Sequence, residues 1–215
     1  MMILFTLFTT SFVIALSGAL MPGPMFTYTI SESAKNGIWV GPFLILGHAL
    51  LEFALLILLV LGFGTILTKD ITFAVIGSIG SLIMFYMAFD MFKSLPKLNL
   101  ESDLNTVDKI YKNPVVAGIV ISLSNPYWSI WWATIGFGYV TFSLKSGYAG
   151  LVAFFLGHIL ADFIWYFFIS IGVSKGRSFI SNKMYKIVIA ICAAALIYFA
   201  SVFGYSGIQK FIEIF

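Results

Sequence analysis

Two stretches of this chain place an imidazole four residues before a carboxylate: Gly47-His48-Ala49-Leu50-Leu51-Glu52-Phe53 and Gly157-His158-Ile159-Leu160-Ala161-Asp162-Phe163. His48 and His158 are the only histidines among 215 residues. On a helix, positions i and i+4 share a face, so each copy presents its two polar groups side by side. Such a pair can share and pass a proton or hold a protonated amine. Taken together, the two pairs are also a ligand set of two histidines and two carboxylates, which suits Mn, Fe or Zn. The plainer reading is that each pair is neutral, hydrogen-bonded and packed. Against it stands the cost of a charge at the bilayer centre, about 2.5–3.5 kcal/mol on translocon scales. Two such residues in matched positions call for a function.

The elements that position these pairs are membrane spans. The chain is 60% hydrophobic and 10% charged, with a mean hydropathy of +1.03, whereas soluble domains carry roughly 25% charged residues. Its charges cluster between apolar runs of about 20 residues, long enough to cross a hydrocarbon core of about 30 Å. The runs are continuous, which excludes the alternating pattern of a β-barrel. The net charge of +3 comes from lysines flanking the spans and does not point to nucleic acid. The single cysteine, Cys192, allows no disulfide framework or CxxC pair within the chain and reads as a packing residue. The first 20 residues lack a basic n-region and are expected to stay as a span rather than be cleaved as a signal peptide.

Six spans are expected, at residues 3–29, 39–67, 71–92, 115–142, 148–173 and 184–205. Nine basic residues fall in the first, third and fifth connections with their flanks, and three, Lys69, Lys145 and Lys210, fall on the other side. The positive-inside bias therefore puts the odd loops in the cytoplasm and both termini outside. The two Gly-His motifs lie 110 residues apart, in spans 2 and 5. Spans 1 and 4 also correspond, each interrupted by proline: Met21-Pro22-Gly23-Pro24 in one, Ser124-Asn125-Pro126 in the other. Three spans per half is an odd number, so the second half enters from the opposite face. The expected architecture is an all-α membrane protein of two inverted three-helix repeats, 1–95 and 114–215, joined by a cytoplasmic loop at 96–113.

Proline inside a helix removes a hydrogen bond and clashes with the preceding turn. In lipid, the freed backbone must face protein or a wet cavity. The half-helix beginning at Pro24 would aim its amides and positive dipole end into such a cavity. Asn125-Pro126 would do the same from the other half, with the Asn125 amide as cap or ligand. Two such ends suit a carboxylate. Thr27, Tyr28, Ser122, Ser124, Ser129 and Thr134 could line the cavity. Asp90 reads as an interfacial charge. Trp128, Trp131, Trp132 and Trp165 fit an aromatic belt, with Trp128 also placed to touch a ligand. Gly18, Gly47, Gly77, Gly80, Gly118, Gly136, Gly138 and Gly157 would let helices approach closely, and Gly136-Phe137-Gly138 could hinge.

At Gly18-Ala19-Leu20-Met21-Pro22-Gly23-Pro24, at Asn125-Pro126 and in its six-span length, the whole chain resembles the lysine exporter (LysE) family of amino-acid efflux proteins. The resemblance implies a membrane exporter of amino acids or similar zwitterions, driven by proton antiport with alternating access, in a prokaryotic cell membrane. Pro22, Gly23, Pro24, Asn125 and Pro126 would then bind the carboxylate. Glu52 and Asp162 would bind the amine or, with His48 and His158, carry the coupling proton. The expected partners are an amino acid, protons and the lipid bilayer, with a homodimer as a candidate assembly and no cofactor. The matched histidines depart from the family's pattern. The wider superfamily includes cadmium and manganese exporters, so a divalent-metal exporter using the same four residues stays open. A membrane-embedded metallo-hydrolase and a non-transporting assembly subunit are further alternatives; paired helix breaks argue against the first, buried charges against the second.

Overall fold

The computed structural model describes residues 2–21, 23–63, 66, 69–96, 113–176 and 181–214, apart from the side chains of Ile83, Met87 and Pro126. Pro22 and residues 97–112, most of the expected connecting loop, lie outside the described residues, as does Arg177.

The described chain is all helical. Helix α1 spans Met2–Ala19 and α2 Pro24–Asn36. Helix α3, Val40–Leu58, runs into a π-helical turn at Leu59–Phe63. Helix α4 is Asp70–Ser94. Next come α5, Pro114–Leu123, and α6, Pro126–Trp131, which continues through a π-helical turn at Trp132–Gly136 into α7, Phe137–Leu144. Two long helices finish the chain, α8 at Gly147–Gly176 and α9 at Asn182–Ile214.

Among the described residues, five segments are long and apolar enough to cross a membrane: Met2–Ala19, Val40–Phe63, Asp70–Ser94, Gly147–Gly176 and Asn182–Ile214. Their outward faces carry Phe5, Phe53, Leu82, Leu156 and Ile191, all more than half exposed. A solvated domain would not leave so much apolar surface bare; lipid is its natural cover.

Several boundaries differ from expectation. The interrupted span read at 3–29 is two helices, and the second, α2, starts at Pro24 and extends to Asn36 rather than ending at Thr29. The run 115–142, read as interrupted at Ser124-Asn125-Pro126, comprises α5, α6 and α7, with Ser124 and Asn125 between the first two, and ends at Leu144. The span read at 184–205 continues to Ile214. Its last turns pack closely on α4: a Cβ on Gly204 would lie 2.8 Å from Ser81 Oγ, and one on Gly207 2.8 Å from the Ser78 amide. Lys210 closes this end by pairing with Asp70 at 3.3 Å and Glu213 at 2.8 Å.

The packing is reciprocal. Helix α1 lies along α8, α3 lies along α5, and α4 lies along α9. Glycines at the contacts bring backbones together. A Cβ on Gly47 would overlap the Val115 carbonyl, one on Gly118 the Leu44 carbonyl, and one on Gly157 the Phe8 carbonyl. Ser11 adds a buried hydrogen bond from α1 to the Phe154 carbonyl of α8, 2.7 Å. Not every glycine read as a close-approach position is one: a Cβ on Gly138 would meet nothing within 4 Å. Cys192 is a free, buried thiol in the contact layer of α9.

Candidate functional site

Helices α3 and α8 deliver the two motifs to the same place. His48 and Glu52 are 7% and 1% exposed, and His158 and Asp162 5% and 6%. Within each motif the pair meets as the helical spacing dictates, His48 Nε2 to Glu52 Oε1 at 3.0 Å and His158 Nε2 to Asp162 Oδ2 at 3.5 Å. Tertiary packing adds two cross contacts. His158 Nε2 lies 3.1 Å from Glu52 Oε2, and His48 Nε2 lies 3.6 Å from Asp162 Oδ2. The two pairs are thus one four-residue cluster, with both imidazoles flanking Glu52. One potential ligand atom from each residue lies within 4.8 Å of all the others.

A carboxylate shut away from water needs donors. Glu52 finds two in α6 and the adjoining π-helical turn: Trp128 Nε1 donates to Oε1 at 3.0 Å and Trp132 Nε1 at 2.7 Å. The belt reading of Trp131 and Trp132 is therefore corrected. They are 6% and 1% exposed and sit in the protein interior, where an indole combines apolar bulk with one N–H donor. Residues 128 and 132 are a helical turn apart and reach the same oxygen. The sequence signal was available in that i, i+4 spacing of two tryptophans, but nothing local pointed it at Glu52, 80 residues away. Trp131 packs its ring against His158 with centroids 4.8 Å apart.

Ser122, on α5, holds the other imidazole: its Oγ is 2.7 Å from His48 Nδ1, and its hydroxyl points at Met25 Sδ, 3.2 Å away. Ser122→Ala leaves that buried ring nitrogen without a partner. The expected loss is about 1–3 kcal/mol of stability, read as a lower melting temperature of purified protein; an unchanged melting temperature would show that Ser122 does not hold the ring.

The cluster forms the floor of a pocket enclosing about 710 Å³, its open mouth included. Met21, Gly23, Pro24 and Met25 line it from the α1–α2 junction and Asn125, Tyr127 and Trp128 from the α5–α6 junction; Tyr166 of α8 also contributes. The predicted site residues Gly23, Pro24, Asn125, His48, Glu52, His158 and Asp162 therefore share one cavity wall. Gly23 precedes α2 in extended conformation and offers no side-chain cap, so the first-turn amides there have no local side-chain acceptor. Asn125 is spent differently: its Oδ1 accepts from the Tyr127 amide at 3.1 Å, capping α6. Pro126 opens that helix, where a missing N–H costs nothing. Of the other polar candidates only Ser122 lines the pocket. Ser124 and Thr134 are exposed, and Thr134 bonds back to the Ile130 carbonyl at 2.8 Å. Asp90 is exposed on α4.

Buried ionisable groups around a cavity inside a bundle of membrane-spanning helices mark a functional site of an integral membrane protein. The chain belongs to the LysE type translocator family, whose model matches residues 16–207. It is also similar to "Putative amino acid efflux protein YcgF" of Bacillus subtilis (strain 168), at 24% identity over 207 residues, covering 95% of this chain and 98% of that one. No solved structure matches it.

Proposed function

We propose that the protein exports amino acids or similar small zwitterions by proton antiport with alternating access. The observation that carries this reading is the meeting of two carboxylates, two imidazoles and the start of α2 around one pocket. A zwitterion needs both kinds of partner. Glu52 and Asp162 suit its ammonium, and the amide end and positive dipole end of α2 at Gly23-Pro24 suit its carboxylate. Asn125 and the start of α6 at Pro126 would shape the opposite wall. Pro22 would belong to the same element. The remaining wall, with Met21, Met25, Tyr127, Trp128 and Tyr166, is largely carbon and suits an organic side chain better than the path of a hydrated ion. The name carried by the Bacillus subtilis relative, an amino acid efflux protein, points the same way.

The contacts of Glu52 with both imidazoles, 3.0 and 3.1 Å, put a proton within reach of two kinds of acceptor, which is what coupling requires. The reciprocal packing of α1 on α8 and α3 on α5 supports two inverted repeats, 1–95 and 114–215, that rock about the pocket. The charge bias supports cytoplasmic odd loops, including 96–113, and external termini.

The test is a panel of amino acids added to detergent-purified protein, followed by melting. A ligand that binds the folded state raises the melting temperature by mass action, by about 2.7 kcal/mol of stability at one hundred times its Kd. One class of amino acid should stabilise the protein, and its efflux from proteoliposomes should follow an imposed proton gradient. Absence of both effects for every amino acid would refute the reading.

A further inference from the structure

The four-residue cluster has more lone pairs than donors. The Ser122 hydroxyl has one hydrogen, and it is directed at Met25 Sδ. With that hydrogen on sulfur, Ser122 Oγ, 2.7 Å from His48 Nδ1, is free to accept an Nδ1–H. In that tautomer His48 Nε2 carries a lone pair, and it faces Glu52 Oε1 at 3.0 Å and Asp162 Oδ2 at 3.6 Å. Glu52 Oε2 and Asp162 Oδ2 are buried and neither receives a hydrogen bond of good geometry. Asp162 Oδ2 nevertheless sits almost equidistant from both imidazole Nε2 atoms, at 3.5 and 3.6 Å. Those separations are too long for hydrogen bonds. They match another geometry. Zinc binds nitrogen and oxygen at about 2.0–2.2 Å, and a tetrahedron of that size has edges of about 3.3–3.6 Å. The two contacts of Asp162 Oδ2 have that length, 3.5 and 3.6 Å; those of Glu52 are shorter, 3.0 and 3.1 Å to its two separate oxygens. One ligand atom from each residue lies within 4.8 Å of the others, so small side-chain shifts close the four onto an ion. Ser122, fixing His48 through Nδ1, is the kind of outer partner that orients a metal-binding imidazole.

We propose that His48 Nε2, His158 Nε2, Glu52 and Asp162 Oδ2 form a binding site for a zinc-class divalent cation, and that the bound ion blocks transport through the pocket. The binding half stands on the cluster's geometry alone; the blocking half rests on the transport reading above. The ion occupies the lone pairs that the proton and the substrate ammonium would otherwise use. Among the described residues beyond the cluster, the pocket lining offers only Ser122, Asn125 and the hydroxyls of Tyr127 and Tyr166 among largely carbon surface, and no further carboxylate or imidazole to carry the ion onward, so it acts as a plug rather than as cargo.

The test uses full-length, chelator-treated protein in detergent, with cobalt(II) as the probe because its visible d–d bands report tetrahedral coordination. One cobalt per chain with tetrahedral bands, displaced by zinc and not by magnesium, is expected. His48→Ala/His158→Ala should abolish the bands. Asp162→Asn, which keeps the shape of the side chain, should weaken binding by at least about tenfold and serves if the double variant does not fold. In proteoliposomes, zinc at a saturating concentration should reduce amino acid efflux to background. Absent cobalt bands, or bands indifferent to both variants, would overturn the site. Zinc binding that leaves efflux unchanged, or zinc itself crossing the membrane, would overturn the blockade. Cobalt spectra need no amino acid and metal-free efflux needs no cation, so the failure of either reading is seen separately.

Discussion

If the proposed function holds, Glu52→Gln is expected to abolish proton-coupled amino acid efflux in a protein that still folds. The substitution keeps the side chain's shape, and the new amide retains a carbonyl oxygen to accept from Trp128 and Trp132, now at 3.0 and 2.7 Å from Oε1. What it cannot do is take up and release a proton between His48 and His158, which lie 3.0 and 3.1 Å away. Removing a positioned proton carrier costs about 100-fold or more, and a fall of that size in gradient-driven efflux is expected, with the melting temperature close to that of the native protein. Asp162→Asn should lose coupling in the same way. Full coupled flux in both variants would remove these carboxylates from the mechanism. Alanine is the wrong probe here. Stripping the partner from two indoles and two imidazoles at a position 1% exposed costs about 3–5 kcal/mol, and lost activity would then report unfolding.

The second large effect is structural. Gly47→Ala and Gly157→Ala should each lower the melting temperature and the yield of folded protein. A Cβ at Gly47 would overlap the Val115 carbonyl of α5, and one at Gly157 would overlap the Phe8 carbonyl of α1. Backbone cannot rotate away as a side chain can, so the helices must part. Overpacking typically costs about 1–3 kcal/mol and sometimes more, against a total stability of about 5–15 kcal/mol. Both glycines sit one residue before a cluster histidine, so any separation also opens the site. Gly172→Ala is the control: a Cβ there meets nothing within 4 Å, and the change should raise helix stability by up to about 1 kcal/mol. Native-like yield and melting of Gly47→Ala would show that α3 and α5 do not pack as closely as described. Both substitutions add a single methyl to a glycine in a long helix, so comparing them separates propensity from packing.

The membrane class, the helical elements and the identity of the four cluster residues were legible in the sequence because each depends on local pattern. Apolar run length predicts spans, and i, i+4 spacing alone puts His48 beside Glu52 and His158 beside Asp162. The Pro-Gly-Pro element and Asn125-Pro126 likewise marked where helices start, since proline at the first helical position loses no bond. What the chain could not show locally is which groups meet across it. The cross contacts of Glu52 with His158 and of Asp162 with His48 exist only because α3 and α8 come together at one level. Trp132, which looked like an interfacial anchor, becomes a buried donor because α6 and its π-helical turn bring it to the buried carboxylate of Glu52. The end of α9 was also misplaced: beyond residue 205 the helix continues to Ile214, with Gly207 packed on Ser78 of α4. Sequence specified the chemistry that each helix carries. Tertiary packing alone decided that two acid–base pairs would become a single site, because burial leaves each charge only the partners that neighbouring helices supply.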